Sequence, residues 1–257
     1  IVDYAMYAKT ISEKDIEKIV NSVCNSKRAE YISRLARHVK CLKEVHINDI
    51  ESWCKIKFSD GFANPLCSAG NLYINNELVT EIVVPEGVTE VGNYAFNGCS
   101  NITSVFIPKG VTSIGNNAFG SCSSLISITI SEGVNSLGER AFMYCTNLTS
   151  INIPEGVTEI KKYTFCDCTN LTSVSIPKSV NKIGWDAFSG CDKVTDVHIG
   201  SIESWLNIQF ENDNAHPNCY YSWDERESPF HFYVDGKLLT EVSVPSSITS
   251  ISGHAFS

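Results

Sequence analysis

The sequence predicts an α/β repeat solenoid built from 23-residue units, and three observations predict it. Cys99, Cys122, Cys145, Cys168 and Cys191 stand 23 residues apart, as do Phe96, Phe119, Phe142, Phe165 and Phe188, and Val88, Val111, Val134, Val157 and Val180. Pro85, Pro108, Pro154 and Pro177 keep the same step, with Ser131 on the remaining rung. Each unit also carries the apolar spacing L-x-x-I-x-I, as in Leu125, Ile128 and Ile130 or Leu148, Ile151 and Ile153. A fixed period in the range of about 20–29 residues marks a stack of supersecondary units, none of which can bury its apolar face alone.

Within a unit the order of elements follows from residue type. The alternation of β-branched residues predicts a short strand with one buried face. Pro and Gly then turn the chain, as in Pro154-Glu155-Gly156. Val157 and Ile160 return to the core, Ala and Phe follow on a tight turn, and Gly-Cys or its equivalent closes the coil. The evenly spaced thiols are read as a column of small buried groups filling the inside of that turn, because Cys packs like a small hydrophobe. A row of identical rungs gives a line, unsuited to a tetrahedral zinc site, and parallel side chains on stacked coils make poor disulfide geometry. Cys24, Cys41, Cys54, Cys67 and Cys219 show no metal-ligand spacing either, and Cys166 beside Asp167 is read as incidental.

Two longer units interrupt the step. VHINDIESWCKIKFSDGFANPLC (45–67) and VHIGSIESWLNIQFENDNAHPNC (197–219) match residue for residue at His46/His198, Trp53/Trp205, Pro65/Pro217 and Cys67/Cys219, all offset by 152. Each inserts an I-E-S-W turn and a loop before the next strand. Trp53 and Trp205 are expected to pack on the core where the coil widens; His46 and His198 are expected on the strand surface. The loop 220–231, with Tyr220, Tyr221 and Trp223, is rich in aromatic and charged residues. It is either a solvated insertion or part of a contact surface.

Residues 1–40 do not repeat. ISEKDIEKIV begins a helix, with Ser12 as cap, Asp15 answering it and Ile11 stapled to Ile16. KRAEYISRLARHVK (27–40) shows a second helical face through Ala29, Ile32, Ala36 and Val39. The expectation is an N-terminal helical cap (1–40) over a solenoid (41–257), with regular repeats at about 80–199 and longer units at about 45–79 and 197–241. The chain opens IVDYAMYAKT, without Met or a signal-like apolar core. It ends SISGHAFS, just past the Ala-Phe of a repeat, so the natural protein is expected to continue or its last coil to be partly disordered.

The segment IPEGVTEIKKYTFCDCTNLTSVSI (153–176) carries the pattern I-P-x-x-V-x-x-I-x-x-x-A-F-x-x-C-x-x-L, with Thr164 in place of the Ala. In this it resembles the BspA-like leucine-rich repeat proteins, over about residues 41 to 257. The resemblance implies a right-handed leucine-rich-repeat solenoid and a bacterial cell-surface or secreted, adhesin-like protein that attaches to host proteins or other cells.

The residues themselves exclude several function classes. The formal charge of −9, from 20 basic and 29 acidic side chains, suits no phosphate backbone, so no nucleic-acid partner is expected. No apolar run approaches the roughly 20 residues that span a bilayer. There is no G-x-S-x-G, P-loop, H-E-x-x-H or dinucleotide fingerprint, so neither an enzyme, a metal nor a cofactor is expected. Stacked strands instead offer outward columns. One runs Val83, Phe106, Thr129, Asn152, Ser175 and His198 and changes at every rung; its neighbour runs Glu81, Ser104, Ser127, Ser150, Ser173 and Asp196. The first is the candidate binding face for a protein or glycan ligand, helped by Tyr220, Tyr221 and Trp223. Two rival readings stand beside it: a scaffold that docks through the helices of 1–40, and a targeting module for an enzyme encoded beyond residue 257.

Overall fold

The computed structural model describes residues 43–56, 58–217, 231–251 and 255. The expected helical cap at 1–40 and the loop residues Tyr220, Tyr221 and Trp223 lie outside the described residues.

Each coil opens with a face strand whose inward residues are the L-x-x-I-x-I positions. Glu81–Val83, Ser104–Ile107 and Ser127–Ile130 form one parallel set. Ser150–Asn152, Ser173–Ile176, Asp196–Ile199 and His231–Val234 form another. The amide of Thr149 bonds the carbonyl of Ile126 at 3.2 Å and carries the stack from one set to the next. Alternation places Ile128 and Ile130 in the core and Ser127 and Thr129 in solvent, as a half-buried strand requires. Parallel pairing across the regular coils follows the sequence period, so Ser104 faces Ser127 and Ser173 faces Asp196.

A second strand follows in each coil. Glu90–Val91, Ser113–Ile114 and Ser136–Leu137 pair in parallel, and so do Glu159–Ile160, Lys182–Ile183 and Gln209–Phe210. The sequence predicts only that Val157 and Ile160 reach the core. A strand of two residues is too short to leave an alternation in the pattern.

The Ala-Phe turn is held from outside the coil. Phe96, Phe119 and Phe165 donate their amides to Ala118, Ala141 and Ala187 of the next coil, at 2.7 to 2.8 Å. The residue before the Ala, or before Thr164 on its rung, sits in the left-handed region at Tyr94, Asn117, Arg140, Tyr163 and Asp186, with φ between 52° and 60°. Asn and Asp tolerate this region, whereas Tyr and Arg are strained there. Inter-coil bonds over-determine the strained rungs: the amide of Tyr163 reaches Trp185 O at 3.0 Å and that of Arg140 reaches Lys162 O at 3.2 Å.

Inside the turn the five Phe rings are fully buried and stack, with centroids 5.3 to 5.6 Å apart. Each ring contributes about 1.5–3 kcal/mol by burial, and each ring pair adds about 0.5–1.5 kcal/mol. The ladder thiols sit beside them and are free of disulfides. Their position has a polar reason as well as an apolar one. The Phe119 carbonyl accepts the Cys122 amide of its own coil at 3.3 Å and the Cys145 thiol of the next coil at 3.1 Å. Cys122, Cys168 and Cys191 donate in the same way to Phe96, Phe142 and Phe165. Thus a side chain small enough for the gap also supplies the second donor that a buried carbonyl can take. Burial pushes the Cys99 and Cys145 thiols up to about 12 and holds Cys122 well above its ordinary value.

The long units keep the core and change its edge. Ile50–Cys54 and Ile202–Leu206 are short helices, capped by Asp49, which accepts from the Ser52 amide, and by Ser201, which accepts from the Ser204 amide. Trp53 and Trp205 are buried as expected, each 1% exposed. Their indole N–H groups donate to the carbonyls of Ala95 at 2.7 Å and Ala255 at 2.9 Å. Each unit also adds an antiparallel hairpin, Leu72–Ile74 with Glu77–Leu78 and His231–Val234 with Lys237–Leu238. Asn75-Asn76 and Asp235-Gly236 make the turns with both φ values positive, the signature of type I′. These hairpins replace part of what the sequence reading leaves as loop, and His231, the last residue of the expected loop, opens a strand.

Truncating Phe142 to Ala is expected to cost about 3–5 kcal/mol in urea unfolding, because a rigid stack cannot close the cavity. Cys145→Ala, which removes one donor and little volume, is expected to cost about 1 kcal/mol.

At pH 8 the ladder thiols of the native protein should resist alkylation mapped by peptide mass spectrometry, while exposed Cys67 reacts faster than they do. The unfolded thiol ionises near 9.0, so the stability linked to Cys145 is intact below that pH and falls as pH rises towards about 12. Cys145→Ala should flatten this alkaline fall in the urea midpoint; an unchanged slope would refute the assignment.

Candidate binding face

The outward residues of the face strands align as the sequence predicts. Val83, Phe106 and Thr129 are direct register partners, and Asn152, Ser175 and His198 are partners in the other set. Val83 and Phe106 are exposed at 64% and 41%, so the column starts apolar and open. It becomes polar at Thr129, Asn152 and Ser175 and ends in an aromatic pair. The neighbouring column of Glu81, Ser104 and Ser127, then Ser150, Ser173 and Asp196, is also in register.

Tyr233 extends the column by one rung opposite His198. The two rings stack with centroids 4.6 Å apart and planes 18° apart. The first long unit repeats the device with His46 on Tyr73, at 4.7 Å and 11°. Sequence reasoning places both His residues on the surface and misses both Tyr partners. The available signal is the pair LYINNEL and FYVDGKL, each an alternating segment ahead of a two-residue turn motif.

Polar contacts fix the position of Tyr233. Asp196 accepts from the Thr195 hydroxyl at 2.7 Å and lies 3.5 Å from Nδ1 of His231. The Thr195 bond, followed by the Tyr233 hydroxyl and the charge of His231, holds the Asp196 carboxyl below its ordinary value of 3.8. Reciprocally, donation to Asp196 raises the Tyr233 phenol above its usual range.

Beside this rung the face deepens into an open groove of about 550 Å³, lined by Asn152, Ser175, His198 and Tyr233. Glu132, Glu155 and Asp235 also line it, with Pro154 and Pro177 at one side.

The repeat region, residues 70–195, matches the family model of the BspA type leucine rich repeat region in 6 copies. These are BspA-type leucine-rich repeats. A leucine rich cell surface protein from Faecalibacterium prausnitzii is 29% identical, with a TM-score of 0.51 over 65% of this chain and 51% of its own. A leucine rich repeat protein from T. pallidum is also 29% identical, with a TM-score of 0.45 over 51% of this chain and 68% of its own. This chain therefore spans about half the length of the Faecalibacterium protein. No curated protein matches the sequence.

The BspA-type stack offers little for bond-making chemistry among its described residues. Burial raises the thiols, to about 12 at Cys54 and Cys166, which disfavours the thiolate needed for nucleophilic attack at neutral pH. Cys67, though exposed, is raised by partial burial and by the charge of Asp60. Among the described residues no three His, Cys, Asp or Glu side chains are placed to share a metal ion, and no helix is long and apolar enough to cross a membrane.

An NMR titration of the Asp196 carboxyl should show it below 3.8 in the wild type and raised in both Thr195→Val and Tyr233→Phe. The Thr195 change should be the larger, since that bond is the leading cause. The interaction favours the folded state above the ordinary carboxyl value and is lost as pH falls through the lowered one. Equal, unshifted titrations in all three proteins would refute the anchoring of Tyr233.

Proposed function

We propose that the chain is a non-enzymatic binding module for a protein or glycan, acting at a bacterial cell surface through its face strands. One observation carries this reading. The column Val83, Phe106, Thr129, Asn152, Ser175, His198 changes chemistry at every rung above a core of repeated residues, and it opens into a groove at its far end. Columns that vary over a constant scaffold give an extended recognition surface. The likeness to a protein described as a leucine rich cell surface protein supports the location. Tyr220, Tyr221 and Trp223 remain part of the proposed contact surface.

The test is surface plasmon resonance of the intact protein against a defined panel of purified extracellular matrix proteins and an oligosaccharide array. For a ligand the face recognises, Phe106→Ala, Asn152→Ala or His198→Ala should weaken binding, by about tenfold for a central contact. Unchanged affinity in all three variants would remove the face from the function.

A further inference from the structure

Among the described residues, the groove contains a notch with one ring wall left uncovered. Asn152, Ser175, His198 and Tyr233 occupy consecutive rungs. His198 lays one ring face on Tyr233 at 4.6 Å, and Tyr233 is tied down by Asp196. The opposite imidazole face looks towards Ser175, one strand spacing of about 4.8 Å away. A hydroxymethyl side chain is too short to cover a ring. The notch therefore has a flat π wall on one side, a small floor, and the Asn152 amide beyond it.

Among the described residues, the acidic and basic side chains that line the groove carry one sign of charge. Glu132, Glu155 and Asp235 line the groove, and neither Lys nor Arg does. Two counter-charges adjoin lining residues along the chain without lining the groove themselves, Lys237 beside Gly236 and Lys178 beside Pro177. Lys178 is held at the groove's edge. Its backbone amide bonds the Glu155 carboxylate at 3.3 Å, and its stem occupies the space where a Cβ on Gly200 would lie, with Cγ 2.5 Å from that point. Gly200 itself lines the groove, so the Lys178 stem packs at the groove's edge, although its side chain is not among those that line it.

A planar cation satisfies both features. Guanidinium stacks on a ring face and meets carboxylates through a forked pair of donors, whereas an ammonium is a more strongly hydrated point charge. An anion would face the carboxylates of Glu132, Glu155 and Asp235. The rungs from Asn152 to Tyr233 span about 14 Å, which an extended peptide covers in about four residues. We propose that the groove binds an extended, arginine-bearing segment of a partner protein, with one guanidinium seated on His198 above Ser175. This rests on the strand-face reading and names its ligand class.

The probe is a fluorescein-labelled hexapeptide alternating Gly and Arg, compared with peptides carrying Lys or the neutral isostere citrulline in place of Arg. Anisotropy should show binding that weakens about tenfold or more with citrulline, and less with Lys. The groove variant Glu132→Gln/Glu155→Gln/Asp235→Asn should lose about tenfold in affinity. A control of identical net charge, Glu77→Gln/Glu81→Gln/Glu90→Gln, should lose no more than about twofold. Ser175→Tyr fills the notch without altering charge and should match the groove variant; circular dichroism confirms that each variant is folded. Equal losses in the two triple variants, or full binding by Ser175→Tyr, would overturn the proposal. If Asn152→Ala and His198→Ala abolish capture of a matrix protein or an oligosaccharide while the Arg peptide does not bind, the arginine assignment fails and the strand face stands. If neither probe responds to any face variant, both fall.

Discussion

A 23-residue coil of this sequence has no internal partners for the amides of its strands, although turn amides such as those of Cys99 and Cys122 bond within the coil. Hydrogen bonding between coils is the constraint from which the rest follows. Backbone groups buried without a partner are too costly to keep, so each coil takes its ladder from the neighbour one period away. That requirement sets the register of both sheets and lines up the Phe rings. It also holds Tyr94, Arg140 and Tyr163 at positive φ, where such side chains are rarely found. The thiols of Cys122, Cys145, Cys168 and Cys191 belong to the same accounting, since each supplies a donor to a Phe carbonyl of the preceding coil.

The long units show how far the scheme bends. Inserting a helix and a loop removes the regular Phe from its rung, and a Trp takes over both of its duties. Its ring fills the core, and its indole N–H satisfies the Ala carbonyl that a backbone amide serves elsewhere. The inserted hairpin brings a Tyr beside the strand His, so each long unit carries a stacked ring pair on its outer surface. At the second of these the pair meets the small residues of the regular coils, and the mismatch in side-chain size creates the groove. The groove of the proposed binding surface thus lies at the junction of two kinds of unit.

This division of labour also suits recognition. Core positions are held by packing, where a lost methylene group is felt at once. Outward positions are constrained only by strand geometry, so a column can carry Val, Phe, Thr, Asn, Ser and His without disturbing the stack. The ladder thiols, buried and kept protonated, contribute to the scaffold.

From the sequence alone came the solenoid, its period, the face strands, the buried thiols, the core Trp pair and the two outward columns. All of these depend on local alternation or on a step of 23 residues, and a period is visible wherever each unit repeats the same physical solution. Tertiary structure alone decided the two-residue second strands, the thiol-to-carbonyl bonds, the Tyr partners of His46 and His198, and the groove with its carboxylate rim. Those features join residues separated by spacings other than the period, 26 between Cys145 and Phe119, 27 between His46 and Tyr73, 35 between His198 and Tyr233. Such pairs exist only once the coils are stacked and the longer units have displaced the register; the alternating segments LYINNEL and FYVDGKL mark hairpin strands but not which residue each Tyr faces.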